Sequence, residues 1–572
     1  MTPSAPTFAP VEAADRAPSR PPRRRRRKRE EDEENGAEDV QPLSRWQMLC
    51  LGAGMAGTQL MWSVQNGYGT PYMKTLGVPE QYTALIWLAT PLAGLLVQAT
   101  LGPLSDETPG RFRRRSWLAA STVLTITSLF YVAYAPEFAR AFSPDIEAAT
   151  AKRTTIAVAI AFLWIVNFAL NGMQATVRDL LLDRAPSAQQ PLANAWASRV
   201  ADVAAVLGYL AGYFRLSSWH ALSWMGSGDG SQFRKLSFVS SVACAALIAL
   251  VCFTQGEKQN DNAGLGAGSR VKRMWADMRS AVKHLPLPVR RVCYVQFLAW
   301  MGYNSILIYS STYISSLVPS TPSSSADDAT RQGSLALVLY SLVALLGSIF
   351  FPFLCTLGSR PIILSNLLTS SAGGRAARKV LAVFTPRNTW TLGLLSFAAA
   401  MGGTFAVNDV RGGQACVAAT GVGWALGEWV PYALVLETVR ELEQPSSAAS
   451  FSAAFSASPG SASHDLSGNS SNGGTLLGLH ALSIVFSKTV FYLFASVILR
   501  LSSSAGGQGA EGEGKSGAVW VLRFGGAMCL VAAGVSRFAV EPTSERRYKA
   551  RLAGEAGEEE DGYEQKRAVR RQ

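Results

Sequence analysis

Charge is scarce in this sequence. Only 16% of its 572 residues are Asp, Glu, Lys or Arg, while 48% are apolar. A soluble chain would carry roughly a quarter charged residues, so a single water-facing globule is excluded. Cysteine is scarce too. The seven cysteines stand at positions 50, 244, 252, 293, 355, 416 and 529, mostly inside apolar runs, and no two form a CxxC pair. No disulfide or metal framework is implied, and they read as small membrane-embedded packing residues. A leading apolar core is also missing. Residues 1–45 hold no apolar stretch of useful length, so no cleavable signal peptide is expected. Instead a basic block from Arg23 to Arg29 meets the acids Glu30 to Glu34. This is the composition of a disordered cytosolic tail, and the acids partly cancel any field meant for nuclear import or anionic lipid.

Catalytic signatures are lacking as well. GAEGEGKS, Gly509 to Ser516, fits the phosphate-loop pattern letter for letter. That loop works only between a strand and a helix, where its amides point at a phosphate. Here it links two apolar runs, and Glu511 and Glu513 would repel a nucleotide. It is a chance match, no HExxH or comparable pattern appears, and neither an enzyme nor an ATP-driven pump is expected. The net charge of +13 would ordinarily suggest nucleic acid. The basic residues lie mostly in short loops between apolar runs, so membrane orientation accounts for them and no nucleic acid is expected.

What is present is length enough to cross a bilayer, many times over. Apolar runs, each about the ~20 residues a crossing needs, cover 48–70, 82–102, 116–134, 154–175, 194–214, 236–254, 291–315, 333–354, 390–407, 413–436, 474–499 and 517–537. The polar segment 255–290 divides six runs from six, the plan of secondary transporters built from two similar halves. The expected organisation is a cytosolic tail (1–45), a six-helix half (46–254), a middle loop (255–290), a second half (291–540) containing a flexible Ser/Ala/Gly-rich insertion (445–473), and a second tail (541–572). Loops 103–115, 176–193, 255–290, 355–389 and 437–473 hold the RFRRR cluster, eight basic residues between Lys258 and Arg291, and Arg360, Arg375, Arg378, Lys379 and Arg387. The alternate loops are sparser and include Glu137, Asp145, Asp327 and Asp328. By the positive-inside rule both termini face the cytosol. The sequon at Asn469 then lies on the cytosolic side, where it is not glycosylated.

Polar residues inside the runs carry the functional information, because an unpaired polar group in hydrocarbon is costly. Asn167, Asn171, Gln174 and Arg178 follow at spacings of four, three and four, which places them on one helix face. Such a stripe lines a water-filled pathway or forms a hydrogen-bonded seam between helices. Arg178, near the helix end, can also simply snorkel. The first run carries Trp62, Gln65 and Asn66, the second Trp87, and the seventh Gln296, Trp300, Tyr303 and Asn304. Amides pair with sugar hydroxyls and aromatic faces cover sugar C–H patches, so this mixture suits a neutral polyol. Asp202, Glu428 and Lys488 are ionisable and lie inside runs. A carboxyl there can carry a proton, or it can serve in a structural ion pair, such as Glu428 or Asp202 with Lys488 or Arg199.

These residues resemble a known family. GTQLMWSVQNGYGTPYMKTLGVP (57–79) and IWLATPLAGLLVQATLGPLSD (86–106) resemble the first two helices of the sucrose/α-glucoside–proton symporters of the major facilitator superfamily. The likeness continues through RFRRR, Gln174, Arg178 and Asp183, ANAWASR (193–199), VQFLAW (295–300), GVGWALGEWVPYAL (421–434), LLGLH (476–480) and VLRFGG (521–526), with ANAWASR and VLRFGG most like fungal members. The resemblance implies an all-α membrane protein of twelve helices in two halves. It also implies alternating access and import of sucrose or a related α-glucoside with protons. No cofactor is implied beyond the proton gradient as driving force. The partners are the lipid bilayer, the sugar and protons, around a monomer in the plasma membrane. Two departures matter. The family tends to carry charged residues just after helix 7, where this chain reads YISSLVPSTPSSS, with none. The family carries an aspartate eleven residues before the helix-4 arginine, where this chain has Asn167. An amide cannot exchange a proton, so coupling has moved to Glu428 or Asp202, or the protein is an uncoupled facilitator, or its substrate differs. A non-transporting sugar sensor is the remaining alternative. The expected sugar-binding set is Trp62, Gln65, Asn66, Trp87, Asn167, Asn171, Gln174, Arg178, Tyr303 and Asn304. In the G-x3-D…R-x-G-R-R region of the superfamily, Asp106, Arg111, Arg114, Arg115 and Asp183 are expected to gate, with Arg113 where the family has glycine.

Overall fold

The computed structural model describes residues 42–108, 113–142, 148–186, 189–226, 230–256, 285–319, 325–359, 384–442, 471–505 and 517–539, with Arg279 and Val282 between them. Residues 1–41 and 540–572, most of the middle loop, residues 443–470 with Asn469 of the sequon, and GAEGEGKS lie outside the described residues. Within them every regular element is helical: α1 (Arg45–Val64), α2 (Thr70–Thr75), α3 (Glu80–Ile86), α4 (Ala89–Glu107), α5 (Arg113–Ala133), α6 (Ala135–Phe142), α7 (Ala148–Arg184), α8 (Gln190–Tyr213), α9 (Ser231–Thr254), α10 (Leu287–Leu317), α11 (Ala326–Ser359), α12 (Pro386–Gly403), α13 (Val410–Leu442), α14 (Ser471–Ala505) and α15 (Gly517–Ser536). Every expected apolar run falls on helix. Six elements meet length and hydropathy criteria for a span outright, among them α7 and α9. The others are interrupted or carry the polar residues of the interior.

Proline explains the interruptions. Pro71 has no N–H to give the Gly67 carbonyl four residues back, and the chain there widens into a π turn, Gln65–Gly69, between α1 and α2. Pro91 likewise cannot reach the Trp87 carbonyl, which accepts from Thr90 N at 3.1 Å as α3 gives way to α4. Pro431 lies inside α13 and Pro352 inside α11. Each therefore loosens one turn of a helix that would otherwise run straight.

The two halves repeat one packing scheme. In the first, α1 packs on α8 and α9, α5 on α7 and α9, and α4 on α7. Six spans later, α10 packs on α14 and α15, α12 on α13 and α15, and α11 on α13. The first half has its own core, including Met61, Leu118, Leu163, Val177 and Phe233. The core of the second, including Trp390, Phe397, Leu426 and Leu522, reaches across to Trp87 and Tyr209. Small residues let helices close up. A Cβ on Gly302 of α10 would fall 2.8 Å from the Gly525 carbonyl of α15. Leu124, Phe130, Val203, Phe253, Phe350, Phe353, Val497 and Val531 remain exposed around the bundle. Apolar surface on that scale is covered by lipid in an integral membrane protein.

The halves meet through α8 on α11 and through α3 and α4 on α14. Their polar contacts gather at the end remote from the start of α1, here the distal end. Asp328 pairs with Arg215 at 2.9 Å and with Arg331 at 2.8 Å, and Arg331 Nε donates to the Tyr213 carbonyl at 2.8 Å. Asp327 accepts from the amides of Gly230 and Gln232 at 3.3 and 3.2 Å, at the positive N-terminal end of α9. Ser334 Oγ donates to the Tyr209 carbonyl at 2.7 Å, and Ser496 Oγ to the Gln81 carbonyl at 3.1 Å. Replacing Asp327 and Asp328 together by alanine removes this clasp and is expected to part the distal ends. Spin labels on cysteines at positions 218 and 326, in a chain cleared of native cysteine, should report a longer distance in the double variant. An unchanged distance would mean the apolar contacts hold this end alone.

Candidate functional site

The first half supplies a knot of amides at mid-helix. Asn167 of α7 is wholly buried. Its Oδ1 accepts from Thr90 Oγ1 of α4 at 2.7 Å, and its Nδ2 donates to Gln65 Oε1 at 3.2 Å and to the Leu163 carbonyl at 2.9 Å. Three spans are thus tied through one side chain. The π turn places Gln65 and Asn66, and the latter donates to Tyr209 Oη at 3.4 Å. Gln65 Nε2 is buried with no partner among the described residues. Trp87 is buried, donates to Thr70 Oγ1 at 2.9 Å, and abuts Gly69 with the edge of its six-membered ring, where a Cβ would fall 2.7 Å away. Trp62 is half-buried and packs on the core of the first half.

The helix-4 stripe changes character along its length. Asn167 and Asn171 are buried, Asn171 Nδ2 donating to the Asn167 carbonyl at 2.9 Å, whereas Gln174 is half-buried and Arg178 exposed. The two readings of the stripe each describe one part of it: a seam at Asn167, an open wall by Arg178.

The second half supplies an aromatic wall. Trp300 and Tyr303 of α10 meet edge-on at 5.9 Å, and Trp424 of α13 packs against both at 5.6 and 5.7 Å. Tyr303 Oη donates to the Gly423 carbonyl at 3.1 Å, and Asn304 Nδ2 to the Trp300 carbonyl at 2.6 Å. The hydroxyl of Tyr303 thus ties α10 to α13, while the Asn304 amide caps a carbonyl of its own helix; both side chains are buried, and the Tyr303 ring is packed against Trp300, Trp424 and Phe397. Pro431 frees the Gly427 carbonyl from its helix, and Gln296 Nε2 donates to it at 3.5 Å. Glu428 stands in this loosened turn.

Charged groups face one another across the space between the halves. Arg178 of α7, Asp202 of α8 and Lys488 of α14 all lie within Coulomb range of Glu428. Glu428 and Arg178 are exposed, and Asp202 and Lys488 half-buried. Side chains from both halves that sense each other yet stay accessible must border a common cavity. The expected structural ion pairs are not formed. Glu428 and Arg178 make no hydrogen bond or ion pair among the described residues, and Asp202 accepts only from Ser348 Oγ of α11, at 3.4 Å. Lys488 Nζ instead sits 4.4 Å from the centroid of Trp300. Charges held apart around a cavity are arranged for a polar occupant. A carboxylate offers acceptors and two cations offer donors, the combination that hydroxyl groups use in both senses.

At the opposite, proximal end the basic cluster has partners within its own half. Arg113 Nη2 lies 2.7 Å from Asp183, and buried Arg114 reaches Asp183 at 3.1 Å, Asp179 at 3.2 Å and Ser105 Oγ. Arg115 donates to the Cys252 carbonyl at 2.8 Å. The start of α5 is thereby locked to the ends of α4, α7 and α9. Arg111 lies outside the described residues, as does the side chain of Asp106, so the partner expected for that acid is not described.

Of the expected residues, Asp202 and Arg178 lie within Coulomb range of Glu428, whereas the amides Gln65, Asn167 and Asn171 form a separate knot within the first half. Sequence reasoning left out Lys488 and Trp300 as site residues, together with Trp424, Thr90 and buried Tyr340, whose hydroxyl is unpartnered among the described residues. The signals were there: a lysine in an apolar run, and a Trp-rich GVGWALGEW block beside a proline.

No family profile matches the chain. A general alpha-glucoside permease of Schizosaccharomyces pombe is 27% identical over 87% of this chain and 94% of its own length. Sucrose transport protein SUT2 of Oryza sativa subsp. indica is 26% identical over 52% of this chain and 63% of its own. Among solved structures, a D-xylose-proton symporter superposes with a TM-score of 0.54 at 16% identity, covering 88% of this chain and 99% of that one. A bacterial homologue of the lysosomal transporter Spinster, inward-facing and unoccupied, superposes with a TM-score of 0.51 at 14% identity, covering 88% and 97%.

Two consequences follow for the site. Asn167→Leu strands Thr90 Oγ1 and Gln65 Oε1 in the buried knot, at about 1–3 kcal/mol for each group left unpaired. Its melting temperature in detergent should fall well below that of Asn167→Asp, which keeps an acceptor for Thr90. Arg114→Ala leaves Asp179 and Asp183 without their shared cation. It should destabilise more than Arg113→Ala, whose guanidinium is less buried; equal losses would show that burial of Arg114 adds nothing.

Proposed function

We propose that this chain, whose fold is that of the major facilitator superfamily and whose sequence is similar to α-glucoside and sucrose transporters, carries sucrose or a related α-glucoside across a membrane by alternating access. The observation that carries the reading is the facing of Arg178 and Asp202 from one half with Glu428 and Lys488 from the other, Arg178 and Glu428 being exposed and unpaired among the described residues, beside the Trp300–Tyr303–Trp424 cluster. Aromatic faces take the sugar's C–H surfaces, and the charged and amide groups take its hydroxyls. Its relatives are carriers and not enzymes by name, and the arrangement offers transport and no bond-breaking chemistry.

With the basic loops in the cytosol, the distal end faces outward. The clasp of Asp327 and Asp328 then closes the outer gate, and the exposed Arg178 and Glu428 are reached from the cytosol. The structure corresponds on this reading to the inward-facing state. The outward-facing state requires the distal clasp to break and the proximal rims to meet. The Arg114–Asp179–Asp183 brace keeps the rim of the first half rigid while it moves, which is how the basic cluster serves gating.

Glu428 is the proton carrier on this reading, with Asp202 its neighbour across the interface. Asn167, which stands where the symporters have aspartate, is consumed by the amide knot and takes no part in proton transfer. On this reading the protein works as a monomer in the plasma membrane, with both termini cytosolic and no cofactor beyond the proton gradient. In cells lacking sugar carriers, labelled sucrose uptake should be stimulated by acid and collapsed by a protonophore, and Glu428→Gln should abolish that stimulation while keeping counterflow. Wild-type uptake indifferent to pH and protonophore would assign the facilitator reading instead, and absence of uptake with every α-glucoside tested would refute carriage.

A further inference from the structure

We propose that Lys488 is the positioning residue that couples sugar to proton, its ammonium being shared between Glu428 and the oxygens of the bound sugar. The inference rests on the reading of Glu428 as the proton-carrying carboxyl. Three observations support it. Lys488 Nζ lies 4.4 Å from the centroid of Trp300, held by a ring and by no hydrogen-bond acceptor among the described residues. A cation–π contact attracts the charge but leaves the three N–H donors unsatisfied. Next to it, Ser487 Oγ donates to the Phe297 carbonyl, pinning this turn of α14 to α10 so that the ammonium has a fixed base. Lastly, the indole N–H of Trp300 is itself buried without a partner among the described residues. Unsatisfied donors therefore meet at one point of the wall.

The groups that face Glu428 come from every helix around it. They are Arg178 on α7, Asp202 on α8, Tyr303 on α10, Tyr340 on α11, Tyr432 one turn along α13, and Lys488 on α14. His480 of α14 lies edge-on to Tyr432 at 4.6 Å. Of the two cations, Arg178 belongs to the other half and changes its distance as the halves rock. Lys488 is in the same half as Glu428 and stays beside it throughout the cycle. When Glu428 is ionised, its carboxylate is the best acceptor within reach of the ammonium. When Glu428 takes a proton from the outer solution, that attraction is lost and the ammonium turns its donors to sugar hydroxyls. Sugar departure returns the ammonium to Glu428 and favours release of the proton to the inner solution. The proton arrives from water and returns to water, and no bond of the sugar changes. Because each ligand favours the other's binding, the coupling is reciprocal.

Lys488→Gln keeps a donor and removes the charge, and Lys488→Arg keeps the charge. With labelled sucrose and surface expression measured in parallel, K488Q should raise the apparent KM at acid pH roughly tenfold, the scale of one charged hydrogen bond. It should also erase the difference in KM between acid and neutral pH, while K488R keeps that difference. K488Q with wild-type KM and wild-type pH dependence would overturn the proposal. If K488Q fails to reach the membrane, Trp300→Leu replaces it. Loss of the ring lets the ammonium settle on Glu428, so acid stimulation must shrink, and unaltered stimulation overturns the proposal equally. Wild-type uptake without pH dependence removes the coupling role and leaves sugar carriage standing; no uptake of sucrose or methyl α-glucoside removes both.

Discussion

An apolar surround leaves a backbone carbonyl or a side-chain amide with no water to bond, and the rest of the structure depends on that constraint. Every break in a helix must be repaired by something nearby. Pro431 frees the Gly427 carbonyl and Gln296 answers it; Pro91 frees the Trp87 carbonyl and Thr90 answers it. The bends made in this way lie beside the polar residues of the cavity. Glu428 follows Gly427, and the π turn produced at Pro71 begins with Gln65. Shape and chemistry share one cause, since the residue that interrupts the helix also opens a place for a polar group.

The same constraint sorts the interior into two kinds of polar group. Asn167, Thr90, Gln65 and Asn171 satisfy one another and make the first half rigid. Arg178, Glu428 and Lys488 have no such settlement. A full set of charges held apart is stable only where water or a ligand reaches it. That contrast separates framework from site more sharply than residue type does, because amides and aromatics occur in both.

The two ends of the bundle use their ion pairs differently. At the distal end carboxylates of α11 hold arginine and helix amides of the other half, a contact that spans the line along which the halves part. At the proximal end the arginines of α5 hold carboxylates of α7 in the same half. One set of ion pairs joins the two halves and the other stiffens one of them. Exposed pairs of this kind contribute little stability individually, so their placement matters more than their number.

The sequence by itself determined the number of spans, their division into halves and the residues that do not belong in hydrocarbon. Length, hydropathy and the expense of buried charge are local properties that need no partner to be read. It also determined that Asn167 cannot exchange a proton, a matter of chemical identity alone. Tertiary structure decided which polar residues are spent on one another and which are left facing the cavity. Asn167 and Arg178 lie on one helix face, and only the approach of α1 and α4 buries the first while the second stays open. Ion pairing among Glu428, Asp202, Lys488 and Arg199 was equally open from sequence. The structure sets Lys488 on Trp300 because α10 and α14 bring residues far apart in the chain within a few ångströms, a distance that no spacing along one helix encodes.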